Sequence, residues 1–181
     1  MAVNINGAIL PIEELHFSYL VHILRTEYGF LESSRTNVAR TKDGLVIPMY
    51  TYPCLEYLDS FDWDGAKVFE YGSGYSTIWW SGYKKANVTG VELEQEWYER
   101  IKTNTTGVNL TLETDKDKYT TSCEGEYDVI IVDGNWRAEC AAHAIKHIKK
   151  DGMILLDNTD MYESAKQVLD ESGLIPIHFH G

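Results

Sequence analysis

Apolar residues recur along this chain with two different periods, and the change between them divides it. From Pro11 to about Glu27, Leu15, Tyr19, Leu20, Ile23 and Leu24 return at helical spacing. Residues 29–50 hold no clear period and a turn at Lys42-Asp43-Gly44. Thr51 reads as the cap of a short helix, with Pro53 in its first turn and Leu55, Leu58 and Phe61 facing inward. Beyond that point the pattern is regular. KVFEY (67–71), NVTGVEL (87–93), VNLTLE (108–113), YDVIIVDG (127–134) and MILLDN (153–158) are short apolar runs that read as strands. Helices are predicted from about Ser76, over 93–104, over 137–150 with a stop near Gly152, and over 161–172 with a stop at Gly173. LIPIHFH (174–180) reads as a closing strand.

Strand alternating with helix means βαβ units, and hence an α/β fold: a doubly wound, mostly parallel, Rossmann-like sheet. The unbroken apolar run at 127–132 fits a strand covered on both faces. No repeat, low-complexity tract or Pro/Gly-rich linker interrupts the pattern. A single domain over 1–181 is therefore expected, with residues 1–64 as an N-terminal helical extension forming part of a substrate lid and 65–181 as the α/β core.

Composition narrows the function classes. With 44% hydrophobic and 12% aromatic residues the chain is that of a folded globular protein. Its formal net charge of −12 repels phosphate backbones, so nucleic acid is not the expected partner. No apolar run approaches a membrane span, and the N-terminus lacks the basic and long apolar regions of a signal peptide. Cys54, Cys123 and Cys140 are far apart and form no CxxC pair, which fits reduced thiols and a cytoplasmic protein.

In an open parallel sheet, ligands bind beyond the carboxyl ends of the strands, where strand order reverses. Those ends here carry Glu70 followed by Gly72-Ser73-Gly74, then Glu92, Asp115, Asp133 and Asp157-Asn158. Any one of these acids is as well explained as a helix cap. Together they point to a site, because clustered carboxylates repel one another and call for cations or hydrogen-bond donors. Gly72 and Gly74 permit positive φ and close approach of a ligand to the backbone, and amides at the start of the next helix would face that ligand. Glu92 ends the next strand, where an acid can accept hydrogen bonds from both hydroxyls of a ribose. Two nucleoside-bearing cofactors fit, NAD and S-adenosylmethionine. The dinucleotide fingerprint G-x-G-x-x-G has Thr77 at its third position here, which lowers NAD.

The acid-x-G-x-G sequence at 70–74 resembles the first motif of class I S-adenosylmethionine-dependent methyltransferases. The stretch running from PMYTYP (48–53) through EYGSGYSTIWW, VELEQEWYE, DVIIVDGNWR and ILLDN resembles a group of bacterial and phage-like members of that family. The resemblance implies that Glu70, Gly72, Ser73 and Gly74 contact the cofactor, that Glu92 holds its ribose, that Asp115 approaches its adenine, and that Asp133 completes the set. It also implies a closing antiparallel hairpin, which this chain would lack beyond 174–180. An edge left open in that way would suit pairing with a second subunit, so a homodimer is expected.

VDG (132–134) and LLDN (155–158) resemble the cation site of catechol O-methyltransferase-like enzymes. That resemblance implies Asp133, Asp157 and Asn158 as oxygen ligands of Mg²⁺ or Ca²⁺, a set suited to such hard ions. Those enzymes carry a lysine base three residues beyond the first Asp, and here Trp136 stands there with Arg137 next. Asp133 and Arg137 are therefore the candidate catalytic residues. His143 and His147, four apart, read as a solvated helix face; Trp79, Trp80 and Trp97 read as packing; Tyr50 and Tyr52 read as core or as cover for the cofactor. The expected activity is methyl transfer to an oxygen or nitrogen atom of a small molecule. The alternatives are an NAD-dependent oxidoreductase and a non-catalytic binding or assembly protein that keeps the fold.

Overall fold

The computed structural model describes residues 2–5 and 8–180, and they form two compact units that part between Ile47 and Pro48. The first unit opens with an antiparallel hairpin of β1 (Ala2–Ile5) and β2 (Ala8–Pro11) that the periodicity did not reveal. Helix α1 (Ile12–Thr26) follows, as the apolar spacing required, with Glu13 and Glu14 in its first turn and Arg25 in its last. Helix α2 (Phe30–Thr36) falls in the stretch without a period, because only seven residues separate its two left-handed ends at Gly29 and Asn37. Neither α1 nor α2 contains a fully buried residue.

The second unit is the α/β core. Helix α3 (Tyr52–Asp59) begins at Thr51, whose hydroxyl accepts from the Cys54 amide, and it buries Leu55 and Leu58. Phe61 lies past its end and is 41% exposed, so it is not the third inward residue of that helix. Strand β3 (Lys67–Tyr71) leads into α4 (Tyr75–Ile78) and then a π-helical turn at Trp79–Tyr83. β4 (Asn87–Glu92), α5 (Gln95–Asn104), β5 (Asn109–Leu112), the short α6 (Lys116–Thr120) and β6 (Tyr127–Val132) follow in order. α7 (Arg137–Ala144), β7 (Ile148–Leu156) and α8 (Glu163–Asp170) complete the unit.

All five core strands are parallel, in the order β5-β4-β3-β6-β7. The chain runs outward from β3 to one edge and then returns to β3's other side, so strand order reverses between β3 and β6. β3 and β6 are central, and Phe69, Tyr71, Ile130 and Val132 from them meet Val91, Tyr119, Cys123 and Cys140 in one apolar cluster.

Three sequence expectations fail at the C-terminal side. The helix expected over 137–150 ends at Ala144, and residues 148–150 already belong to β7. Gly152, taken as the helix stop, lies inside β7 opposite an irregularity in its pairing with β6; a Cβ there would come within 2.8 Å of the Asp128 carbonyl. Residues 174–180 form no strand. They follow Gly173, whose φ of +84° ends the turn after α8, and their apolar Ile175 and Ile177 stay exposed.

Candidate active site

Glu70 lies near the end of β3 with no exposed surface. Its partners come from the next turn: Ser76 Oγ donates to Oε1 and Thr77 Oγ1 to Oε2. Thr77 Oγ1 also accepts the Gly74 amide at 3.0 Å, so one hydroxyl joins the turn to the acid behind it. Thr77 thus does by hydrogen bonding what a third glycine does elsewhere by smallness. Burial pushes the Glu70 carboxyl up to about 8; the Ser76 and Thr77 hydrogen bonds hold it back, and the charges of Asp133 and Glu92 add to the rise. Glu70 braces the loop from beneath and is not part of the cavity wall.

Gly72 adopts φ +85°, and a Cβ there would lie 2.5 Å from Gly134 Cα. A Cβ on Gly134 would in turn lie 2.0 Å from the Tyr119 hydroxyl oxygen. The tips of β3 and β6 therefore touch backbone to backbone, and both positions need glycine. Gly74 differs from its expectation: its φ is −155°, and a Cβ would meet only Ser76 Oγ, at 3.9 Å. Gly134 was missed in the sequence, where DG reads merely as a turn after a strand.

Above this junction a cavity of about 330 Å³ opens, within the size range of small-ligand sites. Gly72, Ser73, Gly74, Glu92, Asp133, Arg137 and Asp157 all line it, joined by Tyr50, Tyr75, Glu94, Trp97, Tyr119, Asn135 and Tyr162. The structure therefore brings together most of the strand-tip residues. Trp97, read as packing, stands instead in the wall, edge-on to Tyr75 at 5.6 Å between ring centroids. Trp79 and Trp80 are buried, as read.

Glu92 Oε1 accepts the amides of Leu93 and Glu94, each at 2.8 Å, which fixes the carboxylate at the β4 tip. Burial raises its pKa, against the pull of those amides. Asp115 is brought elsewhere. It is exposed, caps α6 by accepting the Lys118 amide at 3.0 Å, and does not line the cavity. Two hydroxyls in the wall, Tyr50 Oη and Ser73 Oγ, are buried without a hydrogen-bond partner among the described residues. An unpaired buried hydroxyl costs about 1–3 kcal/mol, so a polar ligand at this wall would relieve it.

At the tips of β6 and β7 the expected cation set meets a resident cation. Arg137, 7% exposed, donates from Nε to Gly134 O (2.9 Å) and from Nη1 to Asp157 O (2.6 Å) and Asn158 Oδ1 (3.4 Å). Its Nη2 donates to Asp133 O (2.8 Å) and Asp133 Oδ1 (2.9 Å), and the guanidinium stacks over Tyr162 at 4.0 Å. These groups therefore do not fit a metal ion as they stand. Among the described residues, no group of three or more His, Cys, Asp or Glu side chains is arranged to hold one. Burial pushes Asp133 up to about 7, the facing Asp157 carboxylate adds to the rise, and Arg137 opposes it.

His143 and His147 do not form a solvated face. Their rings lie 4.5 Å apart, and they bond Cys123 O (3.0 Å) and Gly125 O (2.7 Å), tying down the loop before β6. Trp136 packs edge-on against Tyr119 and belongs to the core rather than the cavity wall.

The arrangement has relatives among solved structures. It resembles precorrin-6y C5,15-methyltransferase of Geobacter metallireducens, with a TM-score of 0.56, 15% identity, and coverage of 77% of this chain and 79% of that one. The fold is that of the class I methyltransferases. A methyltransferase-like protein of Silicibacter pomeroyi matches with a TM-score of 0.55 at 22% identity, over 68% of this chain and 79% of its own. A methyltransferase of Pyrococcus furiosus matches with a TM-score of 0.52 at 18% identity, over 86% and 87%. No protein-family model and no curated protein matches the chain. Identities this low carry the methyltransferase fold; the reaction must be argued from the site.

Proposed function

We propose that this protein is an S-adenosylmethionine-dependent methyltransferase whose acceptor is an oxygen or nitrogen atom of a small molecule. One observation carries the reading. The cavity stands at the reversal of strand order, over the bare Gly72–Gly134 junction, with Glu92 fixed at the next strand tip and the Tyr50 and Ser73 hydroxyls unpaired in its wall. When bound, S-adenosylmethionine supplies an electrophilic methyl group.

In this reading the Gly72-Ser73-Gly74 turn lies against the cofactor, with the Ser73 hydroxyl as a donor or acceptor to its polar atoms. Glu92, already oriented by two amides, receives the ribose hydroxyls. Glu70 acts through Ser76 and Thr77 by holding the turn in shape. Asp115 has no part in this scheme. Asp133 is the candidate proton acceptor for the nucleophile, since a carboxylate near 7 exchanges protons well at neutral pH. Trp97, Tyr75 and Tyr162 bound the cavity with aromatic surface that suits a ring-bearing cofactor or acceptor. Most rate enhancement then comes from positioning donor and acceptor in line.

A small molecule rather than nucleic acid is supported by the net charge of −12 and by the acids around the cavity. No helix among the described residues is long and apolar enough to cross a membrane. A cytoplasmic location and a homodimer formed along the outer edge of β7 belong to the same proposal.

Calorimetry with S-adenosylmethionine, S-adenosylhomocysteine and NAD tests it. Both sulfur nucleosides are expected to bind, and Glu92→Ala to weaken them by roughly tenfold to a hundredfold, the scale of hydrogen bonds to a charged group. Binding of NAD without either sulfur nucleoside would point to an oxidoreductase instead. No nucleoside affinity at all would favour a non-catalytic protein.

A further inference from the structure

The five hydrogen bonds of Arg137 account for every N–H of a guanidinium. Their acceptors are the carboxylate and backbone carbonyl of Asp133, the Gly134 carbonyl, the Asp157 carbonyl and the Asn158 side-chain oxygen. The set draws on two separate strand ends: Asp133 and Gly134 follow β6, and Asp157 and Asn158 follow β7. Asn158 holds φ +54°, a conformation that asparagine tolerates better than most residues. Tyr162, just before α8, closes the other face of the guanidinium by stacking. A buried arginine with all donors used and one ring face covered has nothing left to offer a ligand. It is a fixture that ties two strand tips together and supplies positive charge beside Asp133 and Asp157.

A divalent cation bound by Asp133, Asp157 and Asn158 would perform those same two tasks. We propose that the Arg137 guanidinium takes the cation's place at the tips of β6 and β7. The site is complete without metal and becomes a metal site only when Arg137 is lost. Arg137 is thus a positioning residue, acting on the acceptor end of the cavity through Asp133. The acceptor is correspondingly a group recognised by carboxylates and by the Tyr50 hydroxyl, not a vicinal diol chelated to a metal. The exchange of cations stands on the Arg137 geometry alone and does not depend on which nucleoside occupies the cavity.

Binding of Mn²⁺, followed by loss of the free-ion paramagnetic resonance signal and by thermal melting, tests the proposal without any substrate. Wild type, Arg137→Ala, Arg137→Gln and the double variant Arg137→Ala/Asp157→Asn are compared. Arg137→Gln keeps part of the stem that rests on Tyr162, and so provides a folded background should the alanine variant melt early. Wild type is expected to leave Mn²⁺ free and its melting unchanged. The Arg137 variants are expected to bind Mn²⁺ at least about tenfold more tightly than wild type, and ligation that favours the folded state raises their melting temperature. The double variant is expected to lose that binding, and guanidinium ion in millimolar amounts to restore the melting of Arg137→Ala. Wild-type binding of Mn²⁺ that Asp157→Asn abolishes would overturn the proposal. So would Arg137 variants that neither bind Mn²⁺ nor recover folding with Mn²⁺ or guanidinium.

Discussion

At the scale of single residues the site is a set of acids, each given a different surrounding. Glu70 has hydroxyls, Glu92 has amides, and Asp133 has an arginine and a second carboxylate. Those surroundings separate their titration. Glu70 rises from an ordinary 4.5 to about 8, so between those values the folded state holds a proton that the unfolded chain has released. Its contribution to stability is therefore fully present below about pH 4.5 and is lost as pH rises toward 8. Denaturation by urea at pH 5 and at pH 8.5 should show wild type losing stability across this window. Glu70→Gln, which titrates at neither pH, should lose less, by more than about 1 kcal/mol. Asp133 leads to a kinetic expectation. If it accepts the proton, the rate of transfer rises with pH through about 7 and then levels. Asp133→Asn should lower turnover by roughly 10²–10⁴-fold, the range for losing a general base, with little change in cofactor affinity. Tyr50→Phe removes a hydroxyl that has no protein partner, so it should leave folding stability unchanged or slightly higher while weakening ligand affinity in calorimetry. Which acids would gather was legible from their positions at strand ends. Their partners were not: Ser76 and Thr77 reach back to Glu70 across a turn, and no local spacing rule marks that contact.

At the scale of elements, β3 with its glycine turn was readable to the residue, because a buried strand, two glycines and a helix start follow in unbroken order. The edge elements were less legible. α7 was read as six residues too long because Ile145, Ile148 and the lysines after it continue a helical period, while pairing with β6 draws 148–150 into β7. The short helices α2 and α6 hold too few residues to show a period at all. The junction between the β3 and β6 tips has its own expectation. Gly72→Ala should cost about 1–2 kcal/mol for the left-handed backbone alone, and more for the contact with Gly134. Gly134→Ala should be at least as harmful, since its Cβ would strike the Tyr119 hydroxyl. Gly74→Ala, at an extended φ with open space, should fold normally and report on ligand approach alone. Comparing the three by denaturation and by nucleoside binding separates architecture from recognition.

At the scale of the whole molecule, a five-stranded parallel sheet leaves two edges, β5 and β7. β7 is nine residues long, and none of its residues is fully buried. Pairing between copies along it would hide part of that strand, together with the exposed Ile175 and Ile177 beyond it. Light scattering across concentrations is expected to give a dimer that Ile175→Lys/Ile177→Lys weakens; a monomer throughout would count against it. The alternation of strand and helix was enough to read this architecture from sequence, because each connection in a parallel sheet must be long enough to carry a helix. The π-helical turn at Trp79–Tyr83 sets a further condition on one of those connections. Its wider winding accommodates one more residue than an α-helix would, with Lys84 N bonding Trp79 O at 3.0 Å, and it leaves both Trp79 and Trp80 turned into the core. Removing one residue would rewind the turn as α-helix and rotate everything after it by about 100°. The span between the glycine loop and β4 should thus tolerate many substitutions but no change in length, so that within it reading-length variation, rather than residue identity, is what this protein can least absorb.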